Sequence, residues 1–596
     1  MLIGEVEKLY PSAKTLVKDK VASRIFRKDA TLFDFSEEAY KVAQDFMGWT
    51  DLASNPPLPL KEILDFSKKI LAQDITTVVL VGQGGSTQAP MTITKYNKIN
   101  SDKVAFRTLD SVSPVRVRAL LAEAQPEKSI FLVSSKSGST IETRTLLKAL
   151  RESLSETLSE KEIRARLIAI TDPGSDLEKQ AREEGWRGIF LGEESVGGRF
   201  SALSVFGLLP AALAGIDIEE FVAQALEAEK RCSEDAIDNP AIGLAAFLYD
   251  NLLQGRDKFC FFTPKRGRVL GLWIEQLVAE SLGKENLGIL PNIELDALML
   301  AKDFGDRTAI VYQTQTDLWD ERKNFEMSLT YIDNAIPRVN FKINNVAELA
   351  EHFVMWEYAT TMCAYLMKVC PFDQPDVAST KKATLEILAD GQPAPDFVHD
   401  HIGVIQTGVV EVRMAPCFAH ADCLKSALLE FIGSIKPGDY FAVNAFLPFT
   451  GEGRREALEN IRHGVGIKCN VASCLEVGPR YLHSTGQLQK GGPNNGVFLI
   501  VSADELKDIA LDSDAESLGA LAKAQAAGDL KILIERGRRC IHIHLPDNSG
   551  VTLRALEDLI LKTLEELAAE KAIEEISPTA HLKNSAHKLK QKIRFR

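Results

Sequence analysis

The sequence predicts an α/β chain: two doubly wound domains on parallel sheets, followed by a C-terminal α/β extension. Three observations predict it. Between about residues 75 and 215, the β-branched runs TTVVLVG, KVAFRTL, SIFLVSS, RLIAIT and GIFLG alternate with helical stretches, one of them from about Thr87. That is the spacing of βαβ units, whose parallel sheet needs helices on both faces. A second alternation from about 217 to 395 has KFCFFTP and TAIVYQT as strands and 265–283 and 346–368 as helices. From about 400, GVVEVRMAP, DYFAVNAFLPF, GVFLIVSA and CIHIHLP are strands interleaved with helices at 421–434 and 452–464. The expected division is a helical segment over 1–60, domains over 61–216 and 217–395, the extension over 396–576, and a tail over 577–596. The tail carries six Lys/Arg and no acid, which fits a solvated end or an anion-contacting arm.

Composition narrows the function classes. With 70 Lys+Arg against 83 Asp+Glu the formal charge is −13, which argues against nucleic acid or an anionic membrane as partner. Any phosphate must be met by a local site. Nine cysteines lie scattered with no CxxC pair, so neither a disulfide framework nor a zinc ribbon is expected, and a reducing cytoplasm fits. Charges interrupt the N-terminal stretch, and no run approaches the ~20 apolar residues of a membrane span.

Two loops concentrate phosphate-type chemistry. The first strand runs into Gly82-Gln83-Gly84-Gly85-Ser86-Thr87, where glycines permit a tight turn at a helix start. Free N–H groups and the positive end of the helix dipole suit an anion there, although such turns also hold glycine for steric reasons alone. The third strand ends in Val133-Ser134-Ser135-Lys136-Ser137-Gly138-Ser139-Thr140, five hydroxyls and one ammonium, with Glu142 and Thr143 opening the next helix. Ligands of open parallel sheets bind beyond the carboxyl ends of the strands. Capping would need one hydroxyl, not five, so the pair of loops describes a phosphomonoester cradle with Lys136 as its formal cation.

With GGS followed by SSKSGST-x-ET, the chain resembles the sugar isomerase (SIS) fold and, within it, the glucose-6-phosphate isomerase family. Three further segments carry the resemblance. Gly197-Gly198-Arg199-Phe200-Ser201 matches the family's GGR[FY]S; a cation leading into a helix opposes its dipole unless an anion meets it. In VLGLWIEQLVAESLGKEN, Trp273, Leu277 and Glu280 share one apolar helical stripe while Glu275 faces elsewhere. Burial there should raise the Glu280 pKa toward that of a useful general base, and Glu280-Ser281-Leu282-Gly283-Lys284 matches ESxGK. A glutamate snorkelling to water or pairing with Lys284 is the ordinary alternative. In Phe372-Asp373-Gln374-Pro375-Asp376-Val377, with Lys381 beyond it, the family's FDQ segment is recognisable, but Asp376 and Ala378 replace its glycine and glutamate. Asp373 is also a natural N-cap.

The resemblance implies a metal-independent aldose–ketose isomerase without cofactor, a homodimer acting on a sugar 6-phosphate. Its catalytic residues would be Glu280 as the proton shuttle, Arg199 against the cis-enediolate and Lys381 by the ring oxygen. Its phosphate would rest on Gly85, Ser86, Ser135, Lys136, Ser137, Thr140 and Gln374. A non-catalytic SIS sensor would keep the phosphate loops without needing Arg199, Glu280 and Lys381 together, and an isomerase for mannose 6-phosphate or an amino sugar phosphate is a nearer rival.

One family residue is missing. A ring-opening histidine is expected between the glutamate and the lysine, yet the first histidine of the chain is His352, inside an amphipathic helix and read as packed or surface. The region from about 400 resembles the end of the isomerase half of fused transaldolase/glucose-6-phosphate isomerase proteins, carried by Gly478-Pro479-Arg480-Tyr481-Leu482-His483-Ser484-Thr485-Gly486-Gln487 and Lys490. An active-site loop and a tight structural loop fit this segment equally. If it leans on the cleft, His483 should lie within about 10 Å of Glu280 or Lys381 and assist ring opening.

Overall fold

A computed structural model describes residues 10–96, 104–293, 297–314, 319–390, 400–418, 421–511 and 515–576; the basic tail lies outside them. The first sheet joins β1 (Thr77–Gly82), β2 (Ala105–Leu109), β3 (Ser129–Ser134), β4 (Leu167–Thr171) and β5 (Gly188–Leu191) in the order β2-β1-β3-β4-β5, every pair parallel. Its strands are buried on both faces because alternate residues enter different cores. Val78, Leu80, Ile130 and Leu132 join one cluster, and Val79, Val81, Phe131 and Val133 join another. This is why the runs read as continuous β-branched stretches rather than alternating ones.

The second sheet, β7-β6-β8-β9, is also parallel and holds β6 (Lys258–Phe262), β7 (Leu290–Asn292), β8 (Arg307–Thr314) and β9 (Arg338–Ile343). Phe259, Phe261, Ile310 and Tyr312 enter the same cluster as Val78 and Leu80, so the two sheets share one core. The third sheet runs β10-β11-β15-β14-β12-β13, from β10 (Asp400–Ile405), β11 (Gly408–Met414), β12 (Tyr440–Phe446), β13 (Ala472–Val477), β14 (Gly496–Ala503) and β15 (Arg539–Leu545). Its β12–β15 part is parallel, the β10–β11 hairpin antiparallel, and its core also takes in Ala279 and Leu290 from the second unit. Four strands escape the sequence reading. β7 is three residues long, β9 alternates exposed Arg338, Asn340 and Lys342 with buried Val339 and Ile343, β10 starts among polar residues, and β13 carries Glu476. Among the described residues no helix is long and apolar enough to cross a membrane.

Strand order positions the site. The chain moves from β1 outward to β2 and then crosses back to β3, so the topological switch lies between β1 and β3. Gly82 stands in register with Ser134, and the two polar loops leave the sheet side by side. The loop carrying Arg199 closes onto them: a Cβ on Gly85 would sit 2.2 Å from the Gly198 carbonyl oxygen. Gly85→Ala must push these backbones apart, and overpacking of this kind costs about 1–3 kcal/mol. The variant is expected to unfold at lower denaturant than the parent; an unchanged midpoint would show that the loops have room.

Candidate active site

The helix Ile141–Ser155 follows the β3 loop, and its N-cap Thr140 makes no side-chain capping bond. The hydroxyls instead pair among themselves. Ser135 Oγ donates to Thr140 Oγ1 at 3.2 Å, and Ser137 Oγ and Ser139 Oγ are 2.9 Å apart. The first N–H groups of this helix are thus left for an anion. Ser86 is buried in the first turn of the adjoining helix Gly85–Tyr96. Lys136 corrects the sequence reading. Its ammonium bonds Asp172 Oδ1 at 2.8 Å and the Glu193 carbonyl at 2.9 Å, over the Phe206 ring. Burial draws its pKa down while Asp172 opposes the shift. Asp172 immediately follows the neighbouring strand β4, so the nearest anion to Lys136 is the protein's own.

Arg199 is 3% exposed, in a short 3-10 turn (Gly198–Phe200). The helix expected to begin there starts only at Val205, with Ser204 as its cap, so no helix dipole bears directly on the guanidinium. Nε donates to Ser281 Oγ at 2.8 Å, Nη1 to Gln374 Oε1 at 3.0 Å, and Nη2 to the carbonyls of Asp373, at 3.1 Å, and Pro371. Glu280 Oε1 stands 3.8 Å from Nη1, an ion pair without a hydrogen bond. Its other oxygen accepts from Gln276 Nε2 at 3.3 Å. Burial raises the Glu280 pKa above the usual carboxylate range against the pull of Arg199 and His483.

Lys284 does not pair with Glu280. Its ammonium takes the Asp373 carboxylate and the carbonyls of Asp373, at 2.7 Å, and Cys370, and burial brings its pKa down to about 8. Asp373 is therefore no N-cap; the helix Pro375–Asp390 begins two residues later. Gln374, expected at the phosphate, instead holds Arg199. Lys381 lies on that helix and lines a cavity of about 300 Å³ with Ser139, Glu142, Leu482, His483 and Gln525.

His483 therefore reaches the site. Gln276 Nε2 also donates to the His483 carbonyl at 2.8 Å, which leaves one side-chain amide between His483 and Glu280. Gly84, at φ +56°, passes so close that a Cβ there would meet His483 Cβ at 3.1 Å. His483 Nε2 lies 2.9 Å from Glu142 Oε1, which also accepts from Gln525 at 2.8 Å. Burial works to raise the Glu142 pKa, but His483, a backbone N–H and Lys381 together hold it below the ordinary range. His352, by contrast, is packed. It bonds the Tyr312 hydroxyl at 3.0 Å, and burial brings its pKa down to about 4.

Residues 66–290 match the phosphoglucose isomerase family over the segment that holds both loops, Arg199 and Glu280. Over this segment the chain is similar to phosphoglucose isomerases. The glucose-6-phosphate isomerase of Mycoplasmopsis pulmonis is 28% identical over 393 residues, 58% of this chain and 90% of the relative. That of Carboxydothermus hydrogenoformans is 35% identical over 244 residues, 38% of this chain and 52% of the relative. In fold, the chain is similar to a hypothetical protein from Thermus thermophilus, with a TM-score of 0.54 and 24% identity over 64% of this chain and 98% of that one.

Within the matched segment and its surroundings, several residues escaped the sequence reading. Gln276 could have been found, since it lies one helical turn before Glu280 on the same face. Glu142 was legible only as an acid at a helix start. Ser281 and Lys284 sit inside the ESxGK match without an assigned task. Glu275 faces the C-terminal unit, where burial and the neighbouring Glu476 raise its pKa. Because Gln276 stabilises the Glu280 carboxylate, Gln276→Leu is expected to move the Glu280 titration to still higher pH. The carboxyl C=O stretch in isotope-edited infrared difference spectra reads this directly, and a downward or absent shift would remove Gln276 from the site.

Proposed function

We propose that the protein interconverts glucose 6-phosphate and fructose 6-phosphate through a cis-enediolate, in glycolysis and gluconeogenesis. The observation that carries this reading is the buried pair of Glu280 and Arg199, 3.8 Å apart beside the two hydroxyl-rich loops. A proton shuttle and a cation for a developing oxyanion are what an aldose–ketose exchange requires, and a sensor would need neither. The phosphate would rest on the N–H groups and hydroxyls around Gly85, Ser86, Ser135, Ser137 and Thr140. Glu280 takes the proton from C2 of the open-chain aldose as the C1–C2 double bond forms. The negative charge on oxygen develops beside Arg199, the hydroxyl proton passes from O2 to O1, and Glu280 returns its proton at C1 as C2=O forms. Lys381 and Gln374 serve from the flank, Gln374 by holding Arg199 in place. Nine cysteines without a disulfide among them support a cytoplasmic protein. The exposed side chains Leu298, Trp319, Met327 and Tyr331 around the second sheet support a homodimer that covers them, which light scattering on the purified protein would test.

Glu280→Gln removes the base and little volume. It is expected to keep fructose 6-phosphate binding by calorimetry and to lose at least ~10²-fold in kcat; near-normal turnover would eliminate Glu280 as the base. Ser135→Ala and Thr140→Ala should chiefly raise KM, because phosphate contacts hold ground and transition states alike. Unchanged KM in both would move the phosphate elsewhere.

A further inference from the structure

The Glu280 helix, Arg268–Leu282, begins among charges of the wrong sign. A short 3-10 turn, Lys265–Gly267, leads into it, its first turn holds no acid, and its N-cap Gly267 makes no side-chain capping bond. Lys265, Arg266 and Arg268 therefore stand at the positive end of the helix dipole, where an anion is favoured and cations are not. Beneath this turn the buried Thr263 hydroxyl has no hydrogen-bond partner among the described residues. It lies so close to Gly267 that a Cβ there would overlap its Oγ1.

The C-terminal unit adds to the excess of positive charge. Its helix Arg454–Cys469 brings Arg455 and Arg462 to the same place, and three guanidinium groups meet on one carboxylate. Glu459 Oε1 is shared by Arg455 Nη2 at 3.2 Å and Arg268 Nη2 at 3.6 Å, while Oε2 pairs with Arg462 Nη2 at 2.7 Å. Arg455 is held over the Phe449 ring, 6.0 Å from its centroid, yet remains 44% exposed. Burial and the like charges of Arg455 and Arg462 draw the Arg268 pKa down, against the pull of Glu459. Docking two helices needs one arginine per carboxylate; crowding three onto one adds a repulsion that a further anion removes. The chain as a whole carries a formal charge of −13, so such a concentration of cations is not its average surface.

We propose that Arg268, Arg455 and Lys265 bind a small phosphate-type polyanion at the junction of the Glu280 helix and the helix Arg454–Cys469. Two guanidinium groups sharing one carboxylate oxygen keep donors for phosphoryl oxygens, and Lys265, three residues before Arg268, supplies a point charge on the same side. Bound there, the anion neutralises the helix start and ties the helix that carries Gln276, Glu280 and Ser281 to the unit that carries His483. Roughly 18 Å of helix, at ~1.5 Å per residue, separates Arg268 from Glu280, so the ligand is an effector of this docking and not a substrate. Binding here does not depend on which reaction Glu280 performs.

Calorimetry with inorganic pyrophosphate at fixed ionic strength tests the site, in the full-length parent and in Ser135→Ala with Thr140→Ala, which disables the phosphate-type loops. One pyrophosphate per chain is expected to bind in both. Arg455→Met and Arg268→Met are each expected to weaken it about tenfold, the scale of a charge-assisted hydrogen bond. Arg455 is exposed enough for its variant to melt as the parent does, so loss of binding there is not loss of the fold. Glu459→Gln removes the competing carboxylate and is expected to tighten binding about tenfold, although it deletes three ion pairs. A network that only docks the helices would lose thermal stability in that variant and gain no affinity, which overturns the proposal. Absence of binding in both the parent and Glu459→Gln overturns it too. So does binding that vanishes in the Ser135, Thr140 variant and survives in both arginine variants, or orthophosphate binding as tightly as pyrophosphate.

Discussion

A buried guanidinium with too many donors to leave unpaired organises the site. Arg199 binds the Glu280 helix through Ser281, the 371–374 segment through two carbonyls and Gln374, and stands beside Glu280 itself. An unpaired buried charge costs several kcal/mol, so these segments, more than eighty residues apart in sequence, cannot shift independently. Gly198, its neighbour, is locked against Gly85, which extends the constraint to the phosphate-type loop.

The charges around Arg199 are unequal in a way that suits proton transfer. A second buried cation, Lys284, draws in the Asp373 carboxylate and its carbonyl. Asp373 is thereby withdrawn from competition, and Glu280 becomes the carboxylate facing Arg199. At 3.8 Å, with other donors of the guanidinium already committed, the pairing does not fully offset the desolvation of Glu280. A tight bidentate pair would have held the carboxylate ionised and weakly basic. The geometry leaves it more basic than an ordinary glutamate.

The C-terminal unit is part of this arrangement. Gln487 donates to the Gly283 carbonyl at 3.1 Å and to Asp376 Oδ2 at 2.8 Å, linking the end of the Glu280 helix to the start of the Lys381 helix. A Cβ on Gly283 would lie 2.5 Å from Leu488 Cα, so the helix Thr485–Gly491 packs against backbone, with no room for a side chain. Asp376 also pairs with Arg536 at 2.6 Å. These contacts give Asp376 a structural task, tying the start of the Lys381 helix to the C-terminal unit.

The sequence by itself determined the sheets and the residue types of the site. Strands buried on both faces are continuous apolar runs, and a polar loop at a strand end is visible as local composition, so β1, β3 and β4 and the loops at Gly82–Thr87 and Ser134–Thr140 could be read directly. Glu280 was legible because a helical period of 3.6 puts it on the apolar stripe. Short or half-exposed strands such as β7 and β9 lack such a signal. Side-chain partners chosen across long sequence separations were decided only by the tertiary structure. Lys136 turned to Asp172, Asp373 to Lys284 and Gln374 to Arg199, each because a buried charge takes the nearest complementary group once the chain is packed. The same holds for His483. Its loop could be recognised but not placed, because its meeting with Glu142 depends on how a third sheet docks on the first two, and no local pattern encodes that docking.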